Sequence, residues 1–197
     1  IQGSGDVSPY NNTAVSTRGA VTGVYKDGYF IRESSAKRAG IYIYDPTLSP
    51  KPELGDTLQL TGLVTEYYNW TEIKNITDFQ VVSTGNPEPV PVSLNTGDIG
   101  EDWESCLVTI TAASCTNPNL GYGEWEVNDG SGALVVNDLG VPYTPELDQE
   151  YEITGLVSFS FGAYKIEPRT LKDIEILAPV YFSKALHVTD IQKNSLS

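Results

Sequence analysis

The chain is poor in the residues that usually mark a catalytic or metal centre. Among its 197 residues there is one histidine (His187), two cysteines and no methionine. That leaves little material for a zinc site or a histidine-dependent acid–base centre, so neither a metal nor a cofactor nor a catalytic group is expected. Basic residues are also scarce, 12 against 26 acidic ones, for a net charge of −14. This argues against the commonest nucleic-acid design, in which lysine and arginine neutralise phosphates. No apolar run approaches the ~20 residues that a membrane span needs. No leader peptide is evident at the start, and the sequence begins at Ile1 as though within a longer one. It therefore reads as a segment of a larger protein, with any targeting signal upstream.

What is present is turn-rich and β-forming. Gly 18, Pro 12 and Tyr 12 stand beside a charged fraction of only 19%, which suits an all-β protein. The 40% hydrophobic content is enough for a core. Cys106 and Cys115 fall in one predicted strand and would lie roughly 30 Å apart if it is extended. That is too far for a disulfide, so two small buried thiols are expected.

The most informative feature is internal similarity. Leu58-Gln-Leu-Thr-Gly-Leu-Val64 matches Tyr151-Glu-Ile-Thr-Gly-Leu-Val157, each after an acidic turn and before an aromatic cluster. Those clusters are Tyr67, Tyr68 and Trp70 in the first copy and Phe159, Phe161 and Tyr164 in the second. Upstream, Gly28-Tyr-Phe-Ile31 answers Gly123-Glu-Trp-Glu126, and Gly40–Tyr44 answers Gly132–Val136, at a period of about 93 residues. Each copy is predicted to hold five strands. The first copy's are Ala14–Tyr25, Gly28–Glu33, Gly40–Asp45, Thr57–Tyr67 and Trp70–Ser83. The second copy's are Glu104–Ser114, Gly123–Asp129, Gly132–Asp138, Glu150–Ser160 and Ala163–Leu177.

Gly62 and Gly155 interrupt the fourth strands, as a bulge or tight bend in a small closed sheet would. The fold expected is two tandem five-stranded OB-like Greek-key barrels, residues 1–84 and 93–177. A Pro-rich linker (85–92) joins them, and a tail or further strand (178–197) follows. Three prolines between Pro46 and Glu53 forbid a helix after the third strand.

The opening Ile1–Pro9, then Val15-Ser-Thr-Arg-Gly-Ala-Val-Thr22 and Gly28-Tyr-Phe-Ile-Arg32, with Gly55-Asp56, Leu60-Thr-Gly62 and Thr71-Glu-Ile73, carry a family resemblance. They resemble the OB-fold domains attached to bacterial extracellular nucleases of the endonuclease/exonuclease/phosphatase type. Asn119–Glu126 and Tyr164-Lys-Ile-Glu-Pro168 resemble the second module that follows in such proteins. The resemblance implies a secreted or surface-exposed bacterial protein and a non-catalytic accessory region. Its partners would be neighbouring domains of the same polypeptide, with nucleic acid held or a catalytic domain positioned. A monomer with no membrane insertion is expected.

Candidate ligand-binding residues follow from position. Phe30, Arg32, Tyr42 and Tyr44 fall on strands two and three, the usual oligonucleotide face of an OB barrel. Ile41 and Ile43 would fill the barrel, so the tyrosines are expected to face outward as a stripe. Lys26, Arg32, Lys37 and Arg38 would give that face a weak positive patch. Tyr67, Tyr68 and Trp70 sit in the loop between strands four and five. There they either plug and pack the barrels or stack on bases or sugars. Two ligand classes remain open, single-stranded nucleic acid and oligosaccharide, beside a purely structural spacer. The acidic turns, Asn128–Gly132 among them, lack the EF-hand pattern and read as ordinary Asx turns.

Overall fold

The computed structural model describes residues 1–178. The expected tail, apart from Ala178, and His187 lie outside the described residues. The chain is all-β. Strands β1 (Ala14–Val24), β2 (Gly28–Arg32), β3 (Gly40–Tyr44), β4 (Thr57–Tyr67) and β5 (Trp70–Ser83) close into a barrel of order β1-β2-β3-β5-β4. All five lie within about a residue of the positions read from sequence. Every pairing is antiparallel except β3 with β5, where Ile43 faces Ile73.

Alternation sets what the barrel encloses. Val21, Tyr29, Ile31, Ile41, Ile43, Leu58, Leu60, Val64 and Ile73 form one buried cluster. The register between β4 and β5 slips between Thr61 and Leu63, which puts the irregularity at Gly62. A methyl group there would meet Ile73 Cγ2 at 2.6 Å and the Lys74 carbonyl oxygen at 2.9 Å. Only glycine lets β4 bend so tightly onto β5.

The remaining strands are β6 (Val92–Leu94), β7 (Leu107–Gly121), β8 (Glu124–Asn128), β9 (Ala133–Val136), β10 (Glu150–Ser160), β11 (Ala163–Glu167) and β12 (Ile174–Ile176). They form a seven-stranded sheet of order β12-β10-β11-β9-β8-β7-β6, in which β10 also pairs with β7. β9 and β11 run parallel, with Val136 facing Ile166. A second buried cluster, including Trp103, Ile110, Trp125, Val127, Tyr151, Ile153 and Ile166, lies inside.

The structure corrects several sequence boundaries. The strand expected over Glu104–Ser114 runs instead from Leu107 to Gly121, with register slips past Cys115 that accommodate Pro118. The strand expected to reach Leu177 stops at Glu167, because Pro168 has no N–H for a ladder. A 3-10 turn over Leu171–Asp173 follows, and Arg169 is clamped to Asp173 by a 2.8 Å ion pair. β12 then pairs with β10. The segment expected to be wholly linker ends in β6, which pairs in parallel with β7. Of the bulge or tight bend expected at Gly155, no register slip falls there; the one on β10 lies between Tyr151 and Ile153. Gly155 is instead a close approach, where a Cβ would stand 2.6 Å from the Glu167 carbonyl oxygen. Cys106 and Cys115 are both buried and unbonded.

The pairings also shift the correspondence between the two halves. Tyr42 faces Phe30 and Glu72, while Val135 faces Glu126 and Lys165. Tyr42 and Tyr44 thus answer to Val135 and Asn137, not to Leu134 and Val136.

A third buried cluster joins the halves. Tyr25, Phe30 and Tyr42 from the barrel meet Leu107 and Leu156 from the second sheet, with Trp70 packed against them. Backbone contacts lock the seam. Tyr25 donates its hydroxyl to the Glu167 carbonyl at 2.8 Å, and Arg169 Nη1 donates to the Thr22 carbonyl at 3.1 Å. A Cβ on Gly40 would lie 2.1 Å from the Ser105 carbonyl oxygen, so the two backbones are already at contact.

Candidate functional site: an aromatic cleft between two hairpins

The outward aromatic stripe expected on β2 and β3 is largely covered. Phe30 is fully buried and Tyr42 nearly so, because the second sheet lays Leu107 and Leu156 over that face. Phe30 packs against Tyr42 at 4.8 Å between ring centroids, and Tyr42 stacks on Trp70 at 4.6 Å with planes 12° apart. Tyr44 shares their face but lies past the covered region, and it is exposed. Arg32 is half-buried, its Nη2 donating to the Val90 carbonyl at 2.7 Å. Of the expected positive patch, Lys26 stays exposed, while the other cations are engaged within the fold. Lys37 and Arg38 each bond Asp102 at 2.9 Å, and Arg38 also reaches Glu101 at 3.3 Å.

The loop aromatics behave differently. The β4–β5 and β10–β11 hairpins converge on one cleft of about 770 Å³ between the halves, lined by Tyr67, Tyr68, Trp70, Phe159 and Phe161 with small polar neighbours. Tyr68 is 78% exposed and Phe161 fully exposed. Trp70 forms the floor, held by its stack on Tyr42 and by Nε1–H donation to Ser105 Oγ at 3.2 Å across the seam. Tyr67 meets Tyr68 edge to face at 4.9 Å, and Phe159 meets Tyr164 at 4.7 Å. Tyr164 is anchored through its hydroxyl to Glu101 at 2.6 Å.

Both hairpins have two-residue loops, closed by the pairs Tyr67–Trp70 and Ser160–Ala163. Their central residues all take positive φ: Tyr68 (52°) and Asn69 (68°), Phe161 (52°) and Gly162 (83°). This is the type I′ pattern, whose first position favours asparagine or glycine. Bulky rings there carry backbone strain of about 1–2 kcal/mol each. Tyr68→Asn and Phe161→Asn are therefore each expected to raise the unfolding free energy by about 1 kcal/mol while removing a ring from the cleft. Urea denaturation checks the first effect and ligand titration the second. A loss of stability in both variants would contradict it.

The residues lining the cleft carry no charge. Lys74 lies 3.7 Å from Glu72, and Lys165 is paired with Glu124 while its ammonium sits 5.4 Å from the Phe161 ring. Among the described residues no group of three or more His, Cys, Asp or Glu side chains is placed to hold a metal ion, and no helix is long and apolar enough to cross a membrane.

Sequence reasoning singled out Tyr67, Tyr68 and Trp70, and noted Phe159 and Phe161 at the equivalent place. It did not bring the two clusters together, and it missed Glu72 and Glu104. The equal position of the aromatic turns in both copies was the available signal. The seam that joins them is tertiary and leaves no periodicity.

No protein-family model matches the chain. The endonuclease YhcR of Bacillus subtilis (strain 168) is 27% identical over 187 residues, an alignment covering 84% of this chain and 15% of that protein. The chain thus spans about 15% of the length of that relative. Among solved structures, a murine DNA-binding protein bound to double-stranded DNA aligns over 85% of this chain and 97% of its own, with a TM-score of 0.40 at 10% identity. The p204 HINb domain aligns over 86% of this chain and 98% of its own, with a TM-score of 0.41 at 8% identity. Likeness at this level carries no functional argument.

Proposed function

We propose that this chain is a pair of tandem OB-like barrels serving as a non-catalytic accessory module of a larger secreted or surface-exposed bacterial nuclease. In this reading it holds single-stranded nucleic acid in the hairpin cleft beside a catalytic domain. The observation that carries the reading is the cleft itself, in which exposed rings from equivalent hairpins of the two halves face one space. Successive bases stack on such rings at about 1–3 kcal/mol each. The similarity to a bacterial endonuclease, over most of this chain but a small part of that protein, supports the accessory role. Two parallel strand pairings at matching places, β3 with β5 and β9 with β11, support the duplicated barrel.

Because the nearby lysines are paired with carboxylates, the strand would be held by stacking with few phosphate contacts. Titration of tryptophan fluorescence with single-stranded DNA is therefore expected to show saturable quenching. The logarithm of affinity should fall with the logarithm of salt at a slope on the order of one to two. Absence of quenching by any oligonucleotide would overturn the reading. A second reading rests on the net charge of −14 and the uncharged aromatic lining of the cleft: neutral sugar rings stack on aromatic faces without facing charge repulsion. Saturable quenching by a neutral oligosaccharide, and not by DNA, would favour it.

A further inference from the structure

Next to the hairpin cleft is a second recess of about 390 Å³, lined by Asp27, Tyr44, Tyr67, Trp70, Glu72 and Lys74. Tyr67 and Trp70 belong to both hollows, so one aromatic wall runs through the two. Glu72 is the distinctive group. Its side chain is only 5% exposed, yet the carboxylate is half used. Oε1 accepts from Thr65 Oγ1 at 3.2 Å and lies 3.7 Å from Lys74 Nζ. Oε2 accepts no hydrogen bond from any described residue. Oε2 is not one of the sealed, unpaired side-chain oxygens, so it stays open to the recess, while burial of the side chain as a whole pushes the Glu72 carboxyl above its ordinary value. A ligand that brings donors into the recess would pair with that open oxygen.

Resting on the nucleic-acid reading above, we propose that this recess selects a base whose edge presents adjacent hydrogen-bond donors, guanine above the other three, with Glu72 accepting from the guanine N1–H and N2–H groups. The ring would lie against Tyr44 and Tyr67, both exposed. Guanine places two donor groups side by side on its pairing edge. Adenine and cytosine each bring one amino group beside an acceptor nitrogen, and thymine brings one N–H between two carbonyl oxygens that would face Asp27 and Glu72. The second sheet offers no equivalent subsite, because Lys165 occupies the register position that answers to Glu72. The selection is therefore a property of the first barrel alone, while the hairpin cleft stacks any base.

The test uses thymidine pentanucleotides carrying one central dG, dA, dC or dT, titrated by tryptophan quenching. The dG strand is expected to bind on the order of tenfold more tightly than the dT strand. Inosine in place of dG removes the N2 amino group and should lose most of that advantage on the unaltered protein. In Glu72→Gln the dG-to-dT ratio should fall below about twofold, the dG strand losing affinity and the dT strand losing none. Equal affinity for all four strands would overturn the proposal, as would a dG preference that survives both changes. Binding of every strand with no base preference would sink the subsite and leave the stacking cleft standing. Failure of every strand to bind would sink both. Oligosaccharide binding lost in Glu72→Gln would reassign the carboxylate to sugar hydroxyls.

Discussion

Between pH 5 and pH 9 the folded chain is expected to lose on the order of 4 kcal/mol of unfolding free energy, through one carboxyl at the seam. Glu104 lies just before β7 and is 1% exposed. Its Oε1 accepts the Thr71 backbone N–H from β5 at 3.0 Å, while Oε2 has no partner. Two neighbouring carboxylates favour the neutral acid. Glu101, held by Arg38 and by the Tyr164 hydroxyl, and Glu66, which accepts from Ser8 N–H and Thr71 Oγ1, both add negative charge. The Gln2 amide, whose own Oε1 is without a donor, lies beside it. Burial first, then the charges of Glu101 and Glu66, lift the Glu104 carboxyl from 4.5 to about 8, against the Thr71 N–H and the Gln2 amide, which favour the ionised form.

The folded state therefore holds a proton that the unfolded chain releases near 4.5. The stabilisation is complete below that value and is lost as pH rises to about 8. Glu72 and Glu167, also raised by burial, act in the same direction. Urea denaturation across this range checks it. Glu104→Gln keeps an acceptor for Thr71 and adds a donor for Gln2, so most of the slope should vanish and the variant should exceed the parent at pH 9. An unchanged slope in the variant would contradict the assignment.

Gly40→Ala should break the seam by steric means. The added methyl has no side chain to push aside, because it meets the Ser105 carbonyl oxygen at 2.1 Å and the Cys106 nitrogen at 2.9 Å. Either β3 must leave the second sheet or the segment before β7 must move. A destabilisation of about 3 kcal/mol is expected. Trp70 should lose its Ser105 hydrogen bond, and its emission should shift to the red. Gly5→Ala, whose methyl meets nothing within 4 Å, is the neutral control. If Gly40→Ala matched Gly5→Ala in both stability and emission, the contact would not fix the two halves.

The strands were legible because alternation and turn chemistry are local. Ile41 and Ile43 against Tyr42 and Tyr44 gave the right faces of β3, and glycine marked the bend at Gly62. The reading failed where a partner surface decides the outcome. Nothing near Phe30 or Tyr42 in sequence announces that Leu107 and Leu156, more than sixty residues away, will cover them. The same holds for the cations, since Lys37 and Arg38 find Asp102 only once the halves meet. Glu104 reads as one more surface acid in a chain rich in them, and its burial follows from the seam alone. Tyr68 and Phe161 were recognisable as turn aromatics, but their common cleft needed the relative placement of the two hairpins.

The central claim is that rings from the two halves act on one ligand, and a double-mutant cycle at Tyr68 and Phe161 tests it most directly. Affinity for single-stranded DNA is measured for the parent, Tyr68→Asn, Phe161→Asn and the double variant, with folding checked in each. A shared cleft requires the two losses to be non-additive by more than about 0.5 kcal/mol. Strictly additive losses, or DNA binding untouched by either change, would contradict the account.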